Sequence, residues 1–199
     1  MLESGGAKGV LYIRQSLLIL KLNCPDAAMR SLELAHEHAS SEHERLVYEG
    51  WILYDTGHSY ALADSSLDLS CSSTVISLLE NALKCPSDNL QKALNNLGSV
   101  FVDCGKLDSA ADCYINALKV RHTRAHQGIA CVHFLNNDKA AAYVEMSKLI
   151  EKAKNNASAY EKRSEYYDRD LTKADLEMVT RLDPLRVYPY MYRAAVVNG

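Results

Sequence analysis

The 199-residue sequence lacks any apolar run long enough to cross a bilayer. Its longest apolar stretch, 10–22, is interrupted by four polar residues, Arg14, Gln15, Ser16 and Lys21. It also lacks an excess of charge: 22 basic and 25 acidic side chains leave a net charge of −3, which gives no general attraction to nucleic acids or anionic membranes. The first residues show neither the basic nor the apolar segment of a secretion signal, so we expect a cytoplasmic protein.

The sequence has no C-x-x-C pair, although it contains six cysteines. We therefore expect reduced thiols that pack as small apolar side chains, and no metal or other cofactor. The one pattern that could hold a metal is His122 and His126, which a helix would place on the same face. A metalloprotease helix needs Glu directly after the first histidine, and Thr123 stands there, so we predict no catalytic residue. A metal-dependent enzyme at the two histidines is the disfavoured alternative.

The few glycines include two pairs with the same spacing. Gly50 and Gly57 stand seven residues apart, as do Gly98 and Gly105, with mostly apolar residues between them. This pattern, followed in the second copy by an alanine-rich stretch up to residue 118, is typical of a tetratricopeptide repeat, a pair of helices A and B with a period of about 34 residues. The sequence therefore predicts an all-α tetratricopeptide superhelix, an α-solenoid with irregular repeats. The positions that define the repeats are Gly50, Gly57, Leu97, Gly98, Phe101, Gly105, Ala110, Tyr114, Ala117 and Pro184.

The repeat pattern is interrupted once and stops early. Between Gly57 and Tyr60 it lacks a B helix and most of an A helix, up to one repeat of about 34 residues. Because the last repeat stops after its A helix, an apolar face is uncovered. Together with the break near Gly57, this leads us to expect an unstable or self-associating chain. The predicted segments are a flexible leader at 1–8, N-terminal repeat helices at 9–57, an irregular junction at 58–73, and repeats at 74–199 with the last one truncated.

Solenoids of this kind bind partners on the concave face formed by their A helices. Some repeat proteins clamp a terminal carboxylate there with Lys and Asn, but Val47, Trp51 and Gly128 occupy those positions here, so no full clamp is evident. Trp51 is either a binding anchor or buried between repeats. The predicted partner-binding residues are Val47, Trp51, Tyr54, Asn95, Ser99, Val102, Arg124, Gln127 and Arg163.

Tyrosines and arginines are concentrated near the end of the chain, a combination that can stack on nucleic-acid bases. No basic groove accompanies them, so we predict no nucleic-acid partner. We interpret Tyr160 and Tyr190, which fill the same repeat position, as part of the repeat core.

Four stretches go beyond the general repeat pattern and resemble the plant ethylene-overproducer family. These are Ser41–His58, Ala93–Val100, His122–Gly128 and Asn155–Asp168, and the likeness runs from about Tyr12 to Val197. Members of that family are substrate adaptors of cullin-3 ubiquitin ligases, with a BTB domain that holds the cullin and tetratricopeptide repeats that capture the substrate.

The resemblance implies a function in the control of ethylene biosynthesis. The repeat region would capture the C-terminal tail of type-2 1-aminocyclopropane-1-carboxylate (ACC) synthases and so lead to their ubiquitination. No BTB segment lies within the 199 residues, so this chain alone is not expected to recruit cullin-3. The alternative among binding proteins is a general tetratricopeptide scaffold without that target.

Overall fold

The computed structural model describes residues 4–22, 24–63, 70–87, 90–166 and 169–197, which form helices joined by short connections. These ranges contain no strand, which confirms the all-α prediction. None of their helices is long and apolar enough to cross a membrane. The helices are α1 Ser4–Lys21, α2 Pro25–Glu37, α3 Glu42–Ala63, α4 Ser70–Lys84, α5 Leu90–Asp103, α6 Leu107–Lys119, α7 Ala125–Leu135, α8 Lys139–Lys152, α9 Ala157–Ser164, α10 Arg169–Leu182 and α11 Tyr188–Val197.

The chain forms two compact units, Met1–Ser109 and Ala110–Gly199. In the first unit, α1 pairs with α2 and α3 pairs with α4, while α5 packs against α4. In the second unit, α7 pairs with α8 and α9 pairs with α10, and α11 follows α10. Odd-numbered helices are therefore A helices and even-numbered helices are B helices, which is the order that the tetratricopeptide pattern predicts.

Each unit has an apolar core in which an A helix packs against the preceding helix pair. In the first unit, Tyr48 and Ile52 of α3 join a cluster formed with residues of α1 and α2, among them Leu32, which is 2% exposed. In the second unit, Tyr166, which follows α9, joins a cluster formed with residues of α7 and α8, among them Met146. Burial of these large side chains supplies most of the stability of such repeats.

A small, buried residue recurs at one position of five A helices. Where helices A and B approach closely, a larger side chain is crowded: a Cβ atom added to Gly50 would lie 3.0 Å from Cδ2 of Leu79 in α4, and the Leu79 side chain would have to shift. The spacing of about 34 residues between most of these positions is that of the repeat. We call this the small-residue position, and it is filled by Ser16, Gly50, Gly98, Ala130 and Ser164, all of which are buried.

Gly105 ends α5 as predicted. Its φ of +70° lies in the left-handed region, its amide donates to the carbonyl of Val102 at 3.0 Å, and the amide of Lys106 donates to the carbonyl of Phe101 at 2.8 Å. This pair of bonds is a Schellman cap. The same hydrogen bonds end α6 and α7, where Arg121 (φ 63°) and Asn137 (φ 62°) take the position of the glycine.

The prediction that Gly57 ends helix A is wrong. Helix α3 runs through Gly57 as far as Ala63, because the residues after Gly57, His-Ser-Tyr-Ala-Leu-Ala, are compatible with a helix. An interior glycine costs a helix only about 1 kcal/mol, so a sequence that continues in helical register overrides it. The next B helix, α4, then begins at Ser70, inside the predicted junction 58–73, of which 64–69 lie outside the described residues.

Two further expectations need correction. Helix α1 begins at Ser4, so residues 4–8 are not a flexible leader. Tyr190 is 47% exposed and is not part of the core, whereas Tyr160 packs against the second unit's cluster. Of the other residues predicted to define the repeats, Leu97, Gly98, Ala110, Tyr114 and Ala117 are buried, Phe101 is partly exposed and Pro184 is exposed.

Candidate functional site

The predicted partner-binding residues of the first unit lie on neighbouring A helices. Trp51 and Tyr54 are on α3, and Asn95, Ser99 and Val102 are on α5. All five are partly exposed, and we call them the α3–α5 surface. Because α3 and α5 contact each other directly, the two rows of side chains belong to one surface.

A hydrogen bond joins the two helices of this surface. The hydroxyl of Tyr54 donates to a carboxylate oxygen of Asp103 at the end of α5. Within α5, the hydroxyl of Ser99 donates to the carbonyl of Asn95 at 3.2 Å. The surface is therefore held in place by its own polar groups, which limits the entropy lost when a partner binds.

Trp51 is both partly exposed, as a binding anchor would be, and packed against the core. Its side chain packs against the cluster of α1 and α2 but stays partly exposed. Val47 is more deeply placed: it is 2% exposed and lies in the core with Ala82 and Ala93. Val47 therefore cannot offer an exposed side chain on the α3–α5 surface, and it contributes to the surface only from below.

A small cavity of about 60 Å³ opens beside the start of α3, with Val47 in its wall. Its lining is mostly polar and includes one cation, the exposed Lys92 of α5. Lys92 precedes Asn95 and Ser99 on the same face of α5, so the cavity and the α3–α5 surface are continuous along that helix. The cavity is lined by Ser40, Ser41, His43, Glu44, Val47, Tyr48, Ser87 and Lys92.

Glu44 is the acidic residue in the lining of this cavity. Its burial favours the neutral acid, but bonds from Tyr48 and Ser40 and the charge of Lys92 outweigh that effect and hold the pKa of Glu44 below its ordinary value. Burial, followed by the bond to Glu44, raises the pKa of Tyr48. At neutral pH the cavity therefore contains an ionised carboxylate that is already bonded within the protein, beside the cation of Lys92.

The three predicted residues of the second unit differ in what they can offer. Arg124, just before α7, is exposed, and Gln127, on α7, is partly exposed. Arg163 of α9 is 16% exposed and fully engaged: its Nε and Nη2 atoms donate to Asp175 at 2.9 and 2.6 Å, and its Nη1 atom donates to Ser147 at 2.9 Å. Arg163 therefore joins helices, which leaves Arg124 and Gln127 as the accessible residues of the three.

The histidine pair does not form a metal site. His126 is 4% exposed, and both ring nitrogens are engaged, Nδ1 with Glu145 at 2.5 Å and Nε2 with Lys152 at 2.8 Å. Burial and the charge of Arg124 lower the pKa of His122. Among the described residues, no group of three or more histidine, cysteine or acidic side chains is placed to hold a metal ion.

The sequence pattern did not single out three residues of this region, Glu44, Lys92 and Asp103. Lys92 and Asp103 share a helix with Asn95 and Ser99, so helical spacing from those residues would have found them. Glu44 stands three residues before Val47 on α3 and could have been found in the same way. Their role as a polar rim depends on the packing of α3 against α5, which helical spacing does not contain.

Comparison with known proteins identifies a family. The family model described as the ETO1 C-terminal domain matches residues 1–60 and 58–199. ETO1-like protein 1 of Arabidopsis thaliana is 73% identical over 223 residues, covering 99% of this chain and 25% of the relative. Ethylene-overproduction protein 1 of the same plant is 61% identical over 223 residues, covering 99% of this chain and 23% of the relative. The chain thus spans about a quarter of the length of these curated relatives.

The comparisons also bear on the interrupted repeat. The two matched segments meet at residues 58–60, and the alignments run over 223 residues, more than the 199 residues of the chain. The relatives therefore contain residues that this chain lacks, and the break in the match lies where the repeat pattern is interrupted.

The fold is also found among solved structures. YrrB, described as a tetratricopeptide protein with an unusual peptide-binding site, superposes with a TM-score of 0.53 at 15% identity, covering 98% of this chain and 100% of that chain. This likeness shows the tetratricopeptide fold alone. Taken with the sequence relatives, it leads to one conclusion: the chain belongs to the ETO1 family and is a tetratricopeptide-repeat module that corresponds to the family's C-terminal domain.

Proposed function

We propose that this chain captures the C-terminal tail of type-2 ACC synthases and thereby restrains ethylene biosynthesis. Membership of the ETO1 family supports this assignment, because one relative is named for the overproduction of ethylene. The fold supports the more general statement that a helical-repeat surface captures a protein segment. A general tetratricopeptide scaffold with another target is the competing function.

The observation that carries the proposal is the α3–α5 surface with its adjoining cavity. Trp51 and Tyr54 offer aromatic surface, Asn95 offers a donor and acceptor for a peptide backbone, and Lys92 offers a cation for a carboxylate. A peptide tail carries all three complementary groups, namely apolar side chains, backbone amides and a terminal carboxylate. Aromatic side chains and charge-assisted bonds are the contacts that contribute most to such interfaces.

Within this proposal, the 199 residues supply substrate capture. Contact with cullin-3, and hence ubiquitination, belongs to a BTB domain outside these residues. We place the module in the cytoplasm.

We further propose that the chain acts by binding and not by catalysis. The residues that could have formed a catalytic histidine site support this. His126 is buried, and Glu145 and Lys152 engage its two nitrogens, so no ring nitrogen is left to act on a substrate. The exposed cations and amides of the A helices are groups that recognise a partner.

A calorimetric titration with the native tail peptide and a scrambled peptide tests the proposal. The wild-type chain is compared with Lys92→Ala and Asn95→Ala, and with Lys119→Ala as the control, since Lys119 is an exposed lysine in the other unit. We expect the native tail alone to bind, and each variant of the α5 residues to weaken binding by about tenfold, the effect of losing about 1.4 kcal/mol. The loss at Lys92 should shrink as salt is added, because an exposed charge pair is screened.

Two outcomes contradict the proposal in different ways. If the helical chain binds neither peptide, capture of the tail is wrong and the general scaffold remains. If the native tail binds equally well to the wild type and to both α5 variants, capture is right, but the α3–α5 surface is not the site. Arg124→Ala and Gln127→Ala then test the second unit in the same titration.

A further inference from the structure

The outer face of α1 is apolar and uncovered. Leu11 and Leu18 of α1 are 61% and 62% exposed, and Leu22, in the turn that continues directly from the helix, is 75% exposed. Their spacing of seven and then four residues places all three on the same side of the helix. The opposite side of α1, which includes Ile13 and Ser16, is buried against the rest of the unit. Three leucines exposed along a single helix face form a patch of the kind that marks an interaction site.

The chain's own repeats show what normally covers this face. The second residue after each small-residue position is apolar or aromatic. Its exposure is 0% at Ile52, 1% at Val100, 5% at Val132 and 5% at Tyr166, but 62% at Leu18 in α1. The position two residues after the small-residue position is therefore normally buried. Of these five residues, Leu18 alone faces outward.

The clusters show which element covers this position. Ile52 of α3 packs with Ile13, Leu20, Ala28 and Leu32, which belong to the helix pair that precedes α3. Tyr166 likewise packs with residues of the pair that precedes α9. The position thus contacts the preceding helix pair, whose second member is a B helix. Helix α5 also packs against the B helix before it, α4.

We propose that the outer face of α1 docks the B helix of another tetratricopeptide repeat, and that this B helix is acidic beside its apolar stripe. The acidic character follows from the charges of α1. Lys8 and Arg14 are exposed on either side of the three leucines, and the sequence of α1 contains no acidic residue. Opposite charges at the rim of a helix interface favour the correct partner over others.

A second copy of this chain fits the face poorly. The B helices α2, α4, α8 and α10 each pack against the A helix that follows them, so none of the four is uncovered. In α6, the aromatic ring of Tyr114 lies against Gly128 of α7. A second α1 would bring basic residues against basic residues. A second copy therefore offers no uncovered B helix, and its own α1 offers no complementary charge.

An anionic membrane also fits poorly. Helix α2, the direct neighbour of α1, exposes Asp26, Glu33 and Glu37. These carboxylates would be repelled by anionic lipid headgroups. The leucine stripe is also only one helix face wide, which suits a single helix as its occupant.

A fusion measures this docking directly. One idealised tetratricopeptide repeat without tryptophan is placed before α1, with glutamates flanking the apolar stripe of its B helix; a second version carries lysines there. Trp51 is the single tryptophan of the chain and packs on the cluster of α1 and α2, so its fluorescence reports unfolding of the first unit. We expect the acidic repeat to raise the melting temperature by about 5 °C or more, and the lysine version to raise it by less than half as much.

Matched variants keep the test decisive. Leu18→Glu should abolish the rise, whereas Val144→Glu, at a 54% exposed apolar residue of α8, should leave it unchanged. Circular dichroism of the unfused variants checks that both retain their helices, as expected for exposed positions. The proposal is overturned if the rise is absent, if it persists in Leu18→Glu, or if the lysine version gives an equal rise.

Two further measurements address the other occupants. Sedimentation of the unfused chain that shows a dimer in the wild type and a monomer in Leu18→Glu would assign the face to a second copy. Flotation with phosphatidylserine vesicles that depends on Leu18 would assign it to a membrane. Either result would overturn docking of a B helix, and we expect neither.

Discussion

At the scale of single residues, the absence of a side chain at Gly128 controls how closely α7 approaches α6. A Cβ atom added there would lie 2.4 Å from Cε1 and 2.4 Å from Cζ of the Tyr114 ring, and Tyr114 is only 4% exposed. A buried ring cannot move aside as the end of a flexible chain can. Contacts of this length force a shift of the ring or of the helices.

We predict that Gly128→Ala destabilises the protein in spite of its better helix propensity. Alanine in a helix interior gains about 1 kcal/mol over glycine, whereas forcing extra atoms into a packed contact costs about 1–3 kcal/mol. The net loss should be up to about 2 kcal/mol in the free energy of unfolding, measured by urea titration. In a Tyr114→Leu background the same substitution should become stabilising, and a net gain in the wild-type background would contradict the close packing of Gly128 on Tyr114.

The positive φ angles of Gly105 and Arg121 give a second prediction at this scale. Arg121 is exposed and has a φ of 63°, which costs an L-residue about 1–2 kcal/mol. Arg121→Gly should therefore stabilise the protein by about 0.5–1 kcal/mol after the extra flexibility of the unfolded glycine is subtracted. Thermal unfolding monitored by circular dichroism measures the change.

Gly105 is the matched position for that experiment. A Cβ atom there would meet nothing within 4 Å, so Gly105→Ala changes only the backbone preference. We expect it to destabilise the protein by about 1 kcal/mol. If both substitutions changed stability in the same direction, left-handed caps at these two helix ends would be wrong.

Sequence reasoning worked well for residues whose role depends on local geometry. The cap at Gly105 follows from turn chemistry, and the structure has it as predicted. Gly98 and Ala110 are both buried, while their meeting at a helix crossing stays a prediction. Gly57 was misinterpreted because the same glycine is compatible with a helix end and, at modest cost, with a helix interior. The residues that follow decide between the two.

At the scale of helices, α9 and α10 are joined by a nearly buried ion pair. Asp175 is 3% exposed and accepts two bonds from Arg163, whose guanidinium also lies 4.8 Å from the ring centre of Tyr143 and 5.6 Å from that of Tyr160. Arg163 is thus enclosed by a carboxylate and two aromatic rings. Removing the carboxylate leaves a guanidinium charge in an environment that offers water little access.

We predict that Asp175→Ala lowers the free energy of unfolding by about 3–5 kcal/mol, because a buried charge then loses its partner. Glu165→Ala is the control, since Glu165 pairs with Lys162 in an ion pair near the surface at 3.0 Å and should change stability by less than about 1 kcal/mol. Urea titration of both variants gives the comparison. Equal effects at the two positions would show that Arg163 does not depend on Asp175.

The contact between α7 and α8 predicts a pH effect. Burial of Glu145 favours its neutral form, but bonds from Lys148 and His126 outweigh this and hold the pKa of Glu145 below its ordinary value. A carboxyl whose pKa is lowered by folding contributes stability above its unfolded pKa and loses that contribution as the pH falls through the lowered value.

We therefore expect Glu145→Gln to be less stable than the wild type at neutral pH, with a gap that closes as the pH falls below about 4. Thermal unfolding of both proteins across that range measures it. Glu151, on the exposed side of α8, provides the control substitution and should show no such gap. A difference between wild type and Glu145→Gln that stays constant across the range would exclude an ionised, hydrogen-bonded Glu145.

Helix existence was predictable from apolar spacing, but pairs such as Arg163 with Asp175 and His126 with Glu145 were not. These side chains are 12 and 19 residues apart and meet only after the helices pack. The sequence also could not say which B helix would pair with α3 once part of a repeat was lost. The structure answers this, because α4 packs on α3 at Gly50 and so restores the alternation of A and B helices.

At the scale of the whole molecule, the family and fold class were predictable because the repeat pattern and the four family-like stretches extend along nearly the full chain. The geometry of the candidate site was predictable only in part. Repeat register indicated positions such as Asn95, which is partly exposed, but it could not show that Arg163 is used within the protein or that Lys92 stands beside a cavity. Those facts depend on tertiary packing.

The central claim, that this module captures an ACC synthase tail although it lacks residues its relatives contain, is tested most directly by a paired titration. The native tail peptide is titrated into this chain and into the matching region of ETO1-like protein 1 under the same conditions. We predict that both bind the native tail and not its scrambled form, with dissociation constants within about tenfold of each other, or about 1.4 kcal/mol. Binding by the relative alone, with this chain fully helical, would contradict the claim.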